Sequence, residues 1–338
     1  MSKDVLIEHI ISTLTAAGFS LSERSNIRPQ SFDIAARRDD TLILFKVLYN
    51  IDGLTQDTAR ELAVISAYLK GSPIIVGAKT RDQMLEDDVV YMRYNIAAIN
   101  IQTLYDHFIE DIPLLISASP GGFYVSISGD RLKEERLLNN MSLGTLAGLV
   151  GVSRRTISKY EEEGMDASID VVLTLEEVFN VELAKPIDIL SPYTIDFLIS
   201  LEYDKKLPEK DQSVENKINS NSNKDSLNED NTMLNHISML GYDVRETTQT
   251  PFKAISKDSY DIILTGIGKY NQTTIKRAEL MSSISDVAET ESIILITGTS
   301  KVKNIKDTVF IEKEDLKKIE GSEELIDIIH ERKDVVKK

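Results

Sequence analysis

Apolar positions recur along this chain with two periods, and the order in which the periods alternate outlines its elements. Val5, Leu6, Ile10, Ile11 and Leu14 fall on one helical face, and Gly18 supplies a stop signal for a helix over 5–17. Residues 31–37 then alternate as a half-buried strand does, Asp39-Asp40 make a turn, and 41–49 form a second, largely apolar strand. A helix over 55–69 closes at Gly71-Ser72-Pro73, and the continuous apolar run 74–77 predicts a buried strand. Short strands are expected at 89–91 and 97–99, and a helix over 101–109. The apolar stretch from Leu114, the turn Ser119-Pro120-Gly121-Gly122 and the run 123–127 predict a hairpin. Helix, hairpin, helix, strand is an α/β order with a mixed sheet.

From Gly129 the period becomes helical throughout. Residues 129–138 predict an amphipathic helix with Leu132 and Leu137 or Leu138 inward. Leu143, Leu146, Ala147 and Val150 then stand at i, i+3, i+4 and i+7 behind Ser142, a good N-cap. Gly151 turns easily through positive φ, Val152 is an apolar plug, and Ser153 caps a second helix in which Ile157 and Tyr160 face inward. The small Ala147 allows the two helices to cross closely. The outward face of the second helix carries Arg154, Arg155, Thr156, Ser158 and Lys159. Arginine grips guanine edges or phosphate in a bidentate way, while Ser, Thr and Lys suit phosphate oxygens. The pair therefore predicts a helix-turn-helix, with 153–162 as the recognition helix in the major groove of double-stranded DNA. A further helix over 168–179, capped by Ser168, offers Ile169, Val172, Leu175 and Phe179 to the same core.

Beyond Pro192 the pattern fades. Only four of the 29 residues from Asp204 to Thr232 are apolar and none is aromatic, which predicts a flexible, partly disordered linker and a domain boundary. Residues 234–240 and Gly241 then repeat the helix that stops at Gly18, and a constant offset of 220 aligns the remaining C-terminal residues with the N-terminal ones. Phe32 meets Phe252, Ala35 meets Ile255, and Leu42, Ile43 and Leu44 meet Ile262, Ile263 and Leu264. Ser72, Ile74 and Val76 meet Ser292, Ile294 and Ile296, and Asp87 and Val89 meet Asp307 and Val309. The expected organisation is an α/β domain over 1–128, an all-α helix-turn-helix domain over 129–190, a connector and polar linker over 191–232, and over 233–338 an α/β domain that duplicates the first.

Composition narrows the function. Cysteine is absent, which excludes disulfides and thiolate metal sites and suits a reducing interior. His9, His107, His236 and His330 have no zinc spacing, so no metal or other cofactor is expected. No apolar run approaches the ~18 residues of a membrane span, and the first residues lack a signal pattern, so a cytoplasmic protein is expected. The net charge of −16 argues against coating nucleic acid over the whole surface. Yet Arg131, Lys133, Arg136, Arg154, Arg155 and Lys159 oppose only Asp130, Glu134 and Glu135 between Asp130 and Tyr160. Glu161, Glu162 and Glu163 come immediately after, so the favourable face must be narrow.

Leu146-Ala147, Gly151-Val152-Ser153, Ile157-Ser158 and the run from Glu161 to Gly164 resemble the Cro/repressor-type helix-turn-helix family, with its lambda-repressor-like fold. That family often places a phosphate-clamping glutamine where this chain has Leu143, so the resemblance leaves Ser142 or Thr145 to make such a contact. Phe32-Asp33, followed by Leu44-Phe45-Lys46, resembles the core of the PD-(D/E)XK nuclease-like family. Active members hold a divalent cation with two carboxylates beside the lysine; here Asp33 and Lys46 match, but Leu44 occupies the second acidic position. Glu61 on the next helix could migrate into that role. In the C-terminal repeat Lys253 and Gly266 replace Asp33 and Lys46. The whole arrangement, with Gly121-Gly122, 153–161 and 168–180, resembles an archaeal family of transcriptional regulators. The resemblance implies a DNA-binding regulator without catalytic residues. Two-fold symmetry is usual for this motif class, so a homodimer built on the α/β domains is expected. A metal-dependent nuclease delivered by the helix-turn-helix, and a non-catalytic assembly protein, are the competing readings.

Overall fold

The computed structural model describes residues 3–25, 30–200 and 221–334. In chain order the first elements are α1 (Lys3–Ala16), β1 (Ser20–Leu21), β2 (Ile34–Arg38), β3 (Thr41–Asn50), α2 (Gln56–Leu69), β4 (Ser72–Lys79), β5 (Val89–Arg93), β6 (Ile96–Ile99) and α3 (Ile101–Ile109). The hairpin β7 (Ile116–Ser119) and β8 (Gly122–Val125) leads into α4 (Gly129–Leu138), α5 (Leu143–Val150), α6 (Arg154–Glu162), β9 (Ala167–Ser168) and α7 (Ile169–Phe179). After α8 (Ile195–Ser200) come α9 (Asn221–Met239), β10 (Asp243–Glu246), β11 (Ala254–Lys257), β12 (Ile262–Gly268), α10 (Gln272–Ala288) and β13 (Glu291–Ile296). The last elements are β14 (Asn304–Ile305), β15 (Thr308–Glu312), α11 (Lys313–Leu316) and α12 (Ser322–Asp334). None of the helices among the described residues is long and apolar enough to cross a membrane.

The chain divides into two compact units, and neither matches a simple cut of the sequence. One comprises Met1–Ala17, Val47–Leu54 and Ile74–Ile189; the other comprises Gly18–Lys46, Thr55–Pro73 and Leu190–Lys338.

In the first unit β4 runs parallel to β6, with Ile74 opposite Ala97, and β5 is antiparallel to β6. β5 pairs in parallel with β7, which makes an antiparallel hairpin with β8. β8 pairs in turn with β9, placing Val125 opposite Ala167. The helix-turn-helix is therefore not all-α. Its turn before α7 is a strand on the hairpin's edge, and the Ser128 N–H donates to the Leu183 carbonyl at 2.8 Å. Val125 and Ile127 from the hairpin side pack with Leu132, Leu146, Ile157, Tyr160, Val172 and Leu175 in one core. An all-α domain beginning at residue 129 would leave that core without a wall.

In the second unit β1 and β2, and β2 and β3, are antiparallel pairs. The C-terminal strands form a six-stranded sheet in the order β10-β11-β12-β13-β15-β14. Ala35 faces Leu44 and Arg37 faces Leu42 across the first hairpin. Ile255 faces Leu264 and Lys257 faces Ile262 across the later one, the same register 220 residues on. The offset does not survive to the end. Val309 lies in β15 beside β13, with Ile294 opposite Phe310, whereas Val89 lies in β5, which touches β6 rather than β4. The expected match of Asp87 and Val89 to Asp307 and Val309 is thus corrected, because the C-terminal residues reach their last long strand in fewer residues.

Two local expectations change as well. Leu137 and Leu138 are exposed at 57% and 68%, so Leu132 alone faces inward from the leucines of α4. The polar stretch 204–232 was expected to be a linker; 204–220 lies outside the described residues, and 221–232 forms the opening of α9. That helix ends on Met233, Leu234 and Ile237, all buried in the C-terminal core, so its apolar end anchors a polar beginning.

Candidate nucleic-acid interface

α5 and α6 begin alike. Ser142 Oγ accepts the Thr145 N–H at 3.0 Å and lies 2.9 Å from the Thr145 hydroxyl. Ser153 Oγ accepts the Thr156 N–H at 3.0 Å and lies 2.8 Å from the Thr156 hydroxyl. Each serine thus satisfies a backbone donor that the helix start would leave open. Gly151 closes α5 at φ 75°, with its N–H donating to Ala147, and this allows α6 to leave at a sharp angle. Ser168 has the cap position of α7 but makes no side-chain cap bond, contrary to expectation; β9 pairing fixes that helix start instead.

Ile157 and Tyr160 point into the core as expected, and Arg154 and Arg155 are exposed. Neither arginine makes a hydrogen bond or ion pair among the described residues. Lys159 stands 3.6 Å from Glu163, and the Ser158 hydroxyl donates to Glu162 at 3.5 Å. Among the described residues, the two arginines are the free cations at the start of the recognition helix.

The residue pair that sequence reasoning missed is Arg136 with Glu161. The guanidinium donates from Nε to Oε1 at 2.6 Å and from Nη2 to Oε2 at 2.8 Å, and Nη1 donates to the Met141 carbonyl at 3.0 Å. Their side chains are 9% and 2% exposed. The hydrogen bonds to Glu161 hold Arg136 even more firmly protonated than usual. Arg136 therefore does not belong to the basic footprint, and Glu161 does not repel DNA from the surface. Beside them Gly129 lets α4 approach α6, since a Cβ there would lie 2.5 Å from the Tyr160 carbonyl oxygen. The signal was present in the sequence as opposite charges 25 residues apart, but no helical period connects them.

The nuclease-like residues sit in the second unit. Asp33 and Lys46 are buried, and so is Leu44. The Gln30 amide donates to Asp33, and the Lys46 ammonium donates to the Gln30 carbonyl. Glu61 does not turn toward them to replace the missing acid. Its Oε1 accepts the Gln249 N–H at 2.7 Å, and its Oε2 accepts the Thr248 N–H at 2.9 Å and the Thr248 hydroxyl at 2.7 Å. The Gln249 side-chain carbonyl accepts from the Thr58 hydroxyl at 2.8 Å, and the Gln249 backbone carbonyl accepts from the Ser31 N–H at 2.6 Å. The loop before β11 is thus tied down across the elements that would present a metal. No group of three or more potential ligands for a metal ion occurs among the described residues.

These two constructions define the class: a helix-turn-helix protein carrying a nuclease-superfamily α/β fold. Residues 132–185 match the helix-turn-helix family model, and residues 3–114 match a PD-(D/E)XK superfamily domain. A protein of Methanosarcina mazei is 59% identical over 335 residues, which are 99% of each chain, and bears the name "Putative HTH-type transcriptional regulatory protein". Relatives of the same description in Methanosarcina barkeri and Natronomonas pharaonis are 58% and 39% identical over 334 residues each, covering 98% or more of both chains. The chain belongs to this archaeal family of HTH-type transcriptional regulatory proteins. No solved structure gives a significant match.

Proposed function

We propose that the protein is a cytoplasmic, sequence-specific regulator of transcription that inserts α6 into the major groove of double-stranded DNA. The observation that carries this reading is the pairing pattern around α6. Arg136 and Glu161 are locked inside, Lys159 leans on Glu163, and Arg154 and Arg155 have no partner among the described residues. Ser142, Thr145, Ser153 and Thr156 stand at two helix N-termini, where N–H groups and short hydroxyls suit phosphate oxygens. The reading domain spans 129–190, with the hairpin of β7 and β8 as its wall.

The C-terminal α/β domain is a repeat of the first. The support is the shared hairpin register, and the shared sequence of antiparallel strands, helix, parallel strand and antiparallel return. α10 packs on β2 and α2 packs on β11, a reciprocal arrangement of the kind two copies make. Those faces are used within one chain, so the proposed homodimer uses another surface.

A footprint on genomic fragments tests the main reading. Two protected half-sites in inverted repeat, with centres about 34 Å or a multiple of it apart, are expected, with affinity falling steeply as salt rises. Uniform or absent protection at low salt would refute it.

The protein is proposed not to cut DNA, since Leu44 is buried where a second metal-binding acid would stand and Glu61 is committed elsewhere. Supercoiled, branched and single-stranded DNA should stay intact in Mg²⁺ and Mn²⁺. Cleavage lost on Asp33→Ala would establish the nuclease reading instead.

A further inference from the structure

Within the first unit a cavity of about 260 Å³ opens between the start of the β7–β8 hairpin and α7. Ile116, Val125 and Val172 line it, and two large apolar side chains stand at it uncovered, Ile112 at 40% exposure and Leu173 at 59%. The charged groups in its lining are two carboxylates, Asp88 and Glu176. Glu176 commits Oε1 to the Leu183 and Ala184 N–H groups, at 2.7 and 2.9 Å. Asp88 is different: the residue is half-buried, and its covered Oδ1 accepts no hydrogen bond among the described residues.

Backbone geometry fixes where Asp88 stands. Its φ of 59° places it in the left-handed region, and its N–H donates to the Thr103 hydroxyl at 2.8 Å. The neighbouring Asp87 has its own partner, the Asn100 amide, at 2.7 Å. Burial, then the nearby Asp106 and Asp87, push the Asp88 carboxyl above its ordinary value. Two carboxylates in an otherwise apolar lining give the cavity a negative charge that a cation complements, and a carboxylate accepts its strongest hydrogen bonds from charged donors. An apolar cavity with a few converging polar groups is the usual form of a small-molecule site, and this one lies just under the ~300–1,000 Å³ of drug-sized pockets.

We propose that this cavity binds a small organic cation, an amine whose ammonium group donates to Asp88 and whose hydrocarbon body lies on Ile112, Ile116 and Leu173. Val125 and Val172 belong also to the core that holds Ile157 and Tyr160 of the recognition helix. Resting on the DNA-binding reading above, the amine is the effector, and its occupancy changes operator affinity through that shared core.

Calorimetric titration of the full chain with 2-phenylethylamine and with its uncharged analogue 2-phenylethanol tests the site without DNA. The amine should bind about ten-fold or more tightly than the alcohol, because its donor carries a full positive charge and the hydroxyl does not. Asp88→Asn should remove that preference. Asparagine tolerates the left-handed backbone, so this variant keeps its fold. Leu173→Trp, on an exposed position, should fill the cavity and abolish both heats. Equal binding of the two probes, a preference that survives Asp88→Asn, or no binding of the amine would overturn the proposal. Gel shifts with and without 2-phenylethylamine then read the coupling. Binding in the calorimeter with no change in DNA affinity would overturn the effector role while the DNA-binding reading stands.

Discussion

Arg136→Ala should destabilise the helix-turn-helix by about 3–5 kcal/mol, the usual cost of breaking a buried ion pair by removing one partner. The loss is large because Glu161 would remain 2% exposed with a charge and no counter-charge, and the Met141 carbonyl would lose its donor. Exposed pairs give a useful contrast. Lys133 with Glu162 at 3.9 Å and Lys159 with Glu163 at 3.6 Å lie in water and salt, and each contributes about 0–1 kcal/mol. Amide hydrogen exchange is the suitable measurement, since the chain has two compact units and one global unfolding energy would mix them. Protection in α4, α5 and α6 should fall by about two to four orders of magnitude, while the C-terminal sheet keeps its own. The double variant Arg136→Met with Glu161→Leu should recover most of the loss, because apolar replacement removes both desolvated charges together. Unchanged protection in Arg136→Ala would show that the pair is not what ties α4 to α6.

Removing Arg154 and Arg155 together should weaken specific DNA binding by about 2–6 kcal/mol if both read bases, at about 1–3 kcal/mol for each bidentate contact. Their exposure and lack of partners mean that the substitution leaves the fold unchanged, so the loss belongs to recognition. The single variants should relax the base preference at different positions. Lys159→Ala should instead weaken all sequences alike and flatten the salt slope by about one unit. Gel shifts over a salt series, on operator and scrambled DNA, separate these outcomes. If the double variant still distinguishes operator from scrambled DNA as wild type does, α6 is not the reader.

The legible part of this protein was its local structure. Caps at Ser142 and Ser153, the turn at Gly151, the inward Ile157 and Tyr160 and the hairpin at Gly121-Gly122 stem from period and residue type, which act over a few positions. The departures involve long-range partners. Arg136 and Leu137 looked alike as candidates for an outer and an inner face, and packing reversed them, because Glu161 stands ready inside and no apolar pocket waits for Leu137. Glu61 looked available for a metal until the loop at Thr248 and Gln249 proved to occupy both its oxygens. The opening of α9 has the composition of a linker, and its helical backbone continues from an anchored end that composition does not reveal. The carboxylate of Asp88 carried no signal at all, since its surroundings, the like charge of Asp106 and the cavity lined by α7, are assembled only by the fold.

The strand joint between β8 and β9 constrains spacing. Tyr124 faces Ser168, the Lys185 N–H donates to the Ser126 carbonyl at 2.8 Å, and the Ile187 N–H donates to the Leu114 carbonyl at 2.7 Å. A reading head on a peptide hinge swivels to track its target; one laced into a sheet edge by main-chain bonds on both sides does not. On any operator read at two points, one inserted base pair turns the second half-site by about a tenth of a helical revolution. A hinged reader absorbs that rotation cheaply, whereas this one must bend the DNA or lose half its grip. If the protein reads two half-sites as the proposed homodimer, the sheet edge acts as a ruler, and the distance between half-sites becomes part of the message.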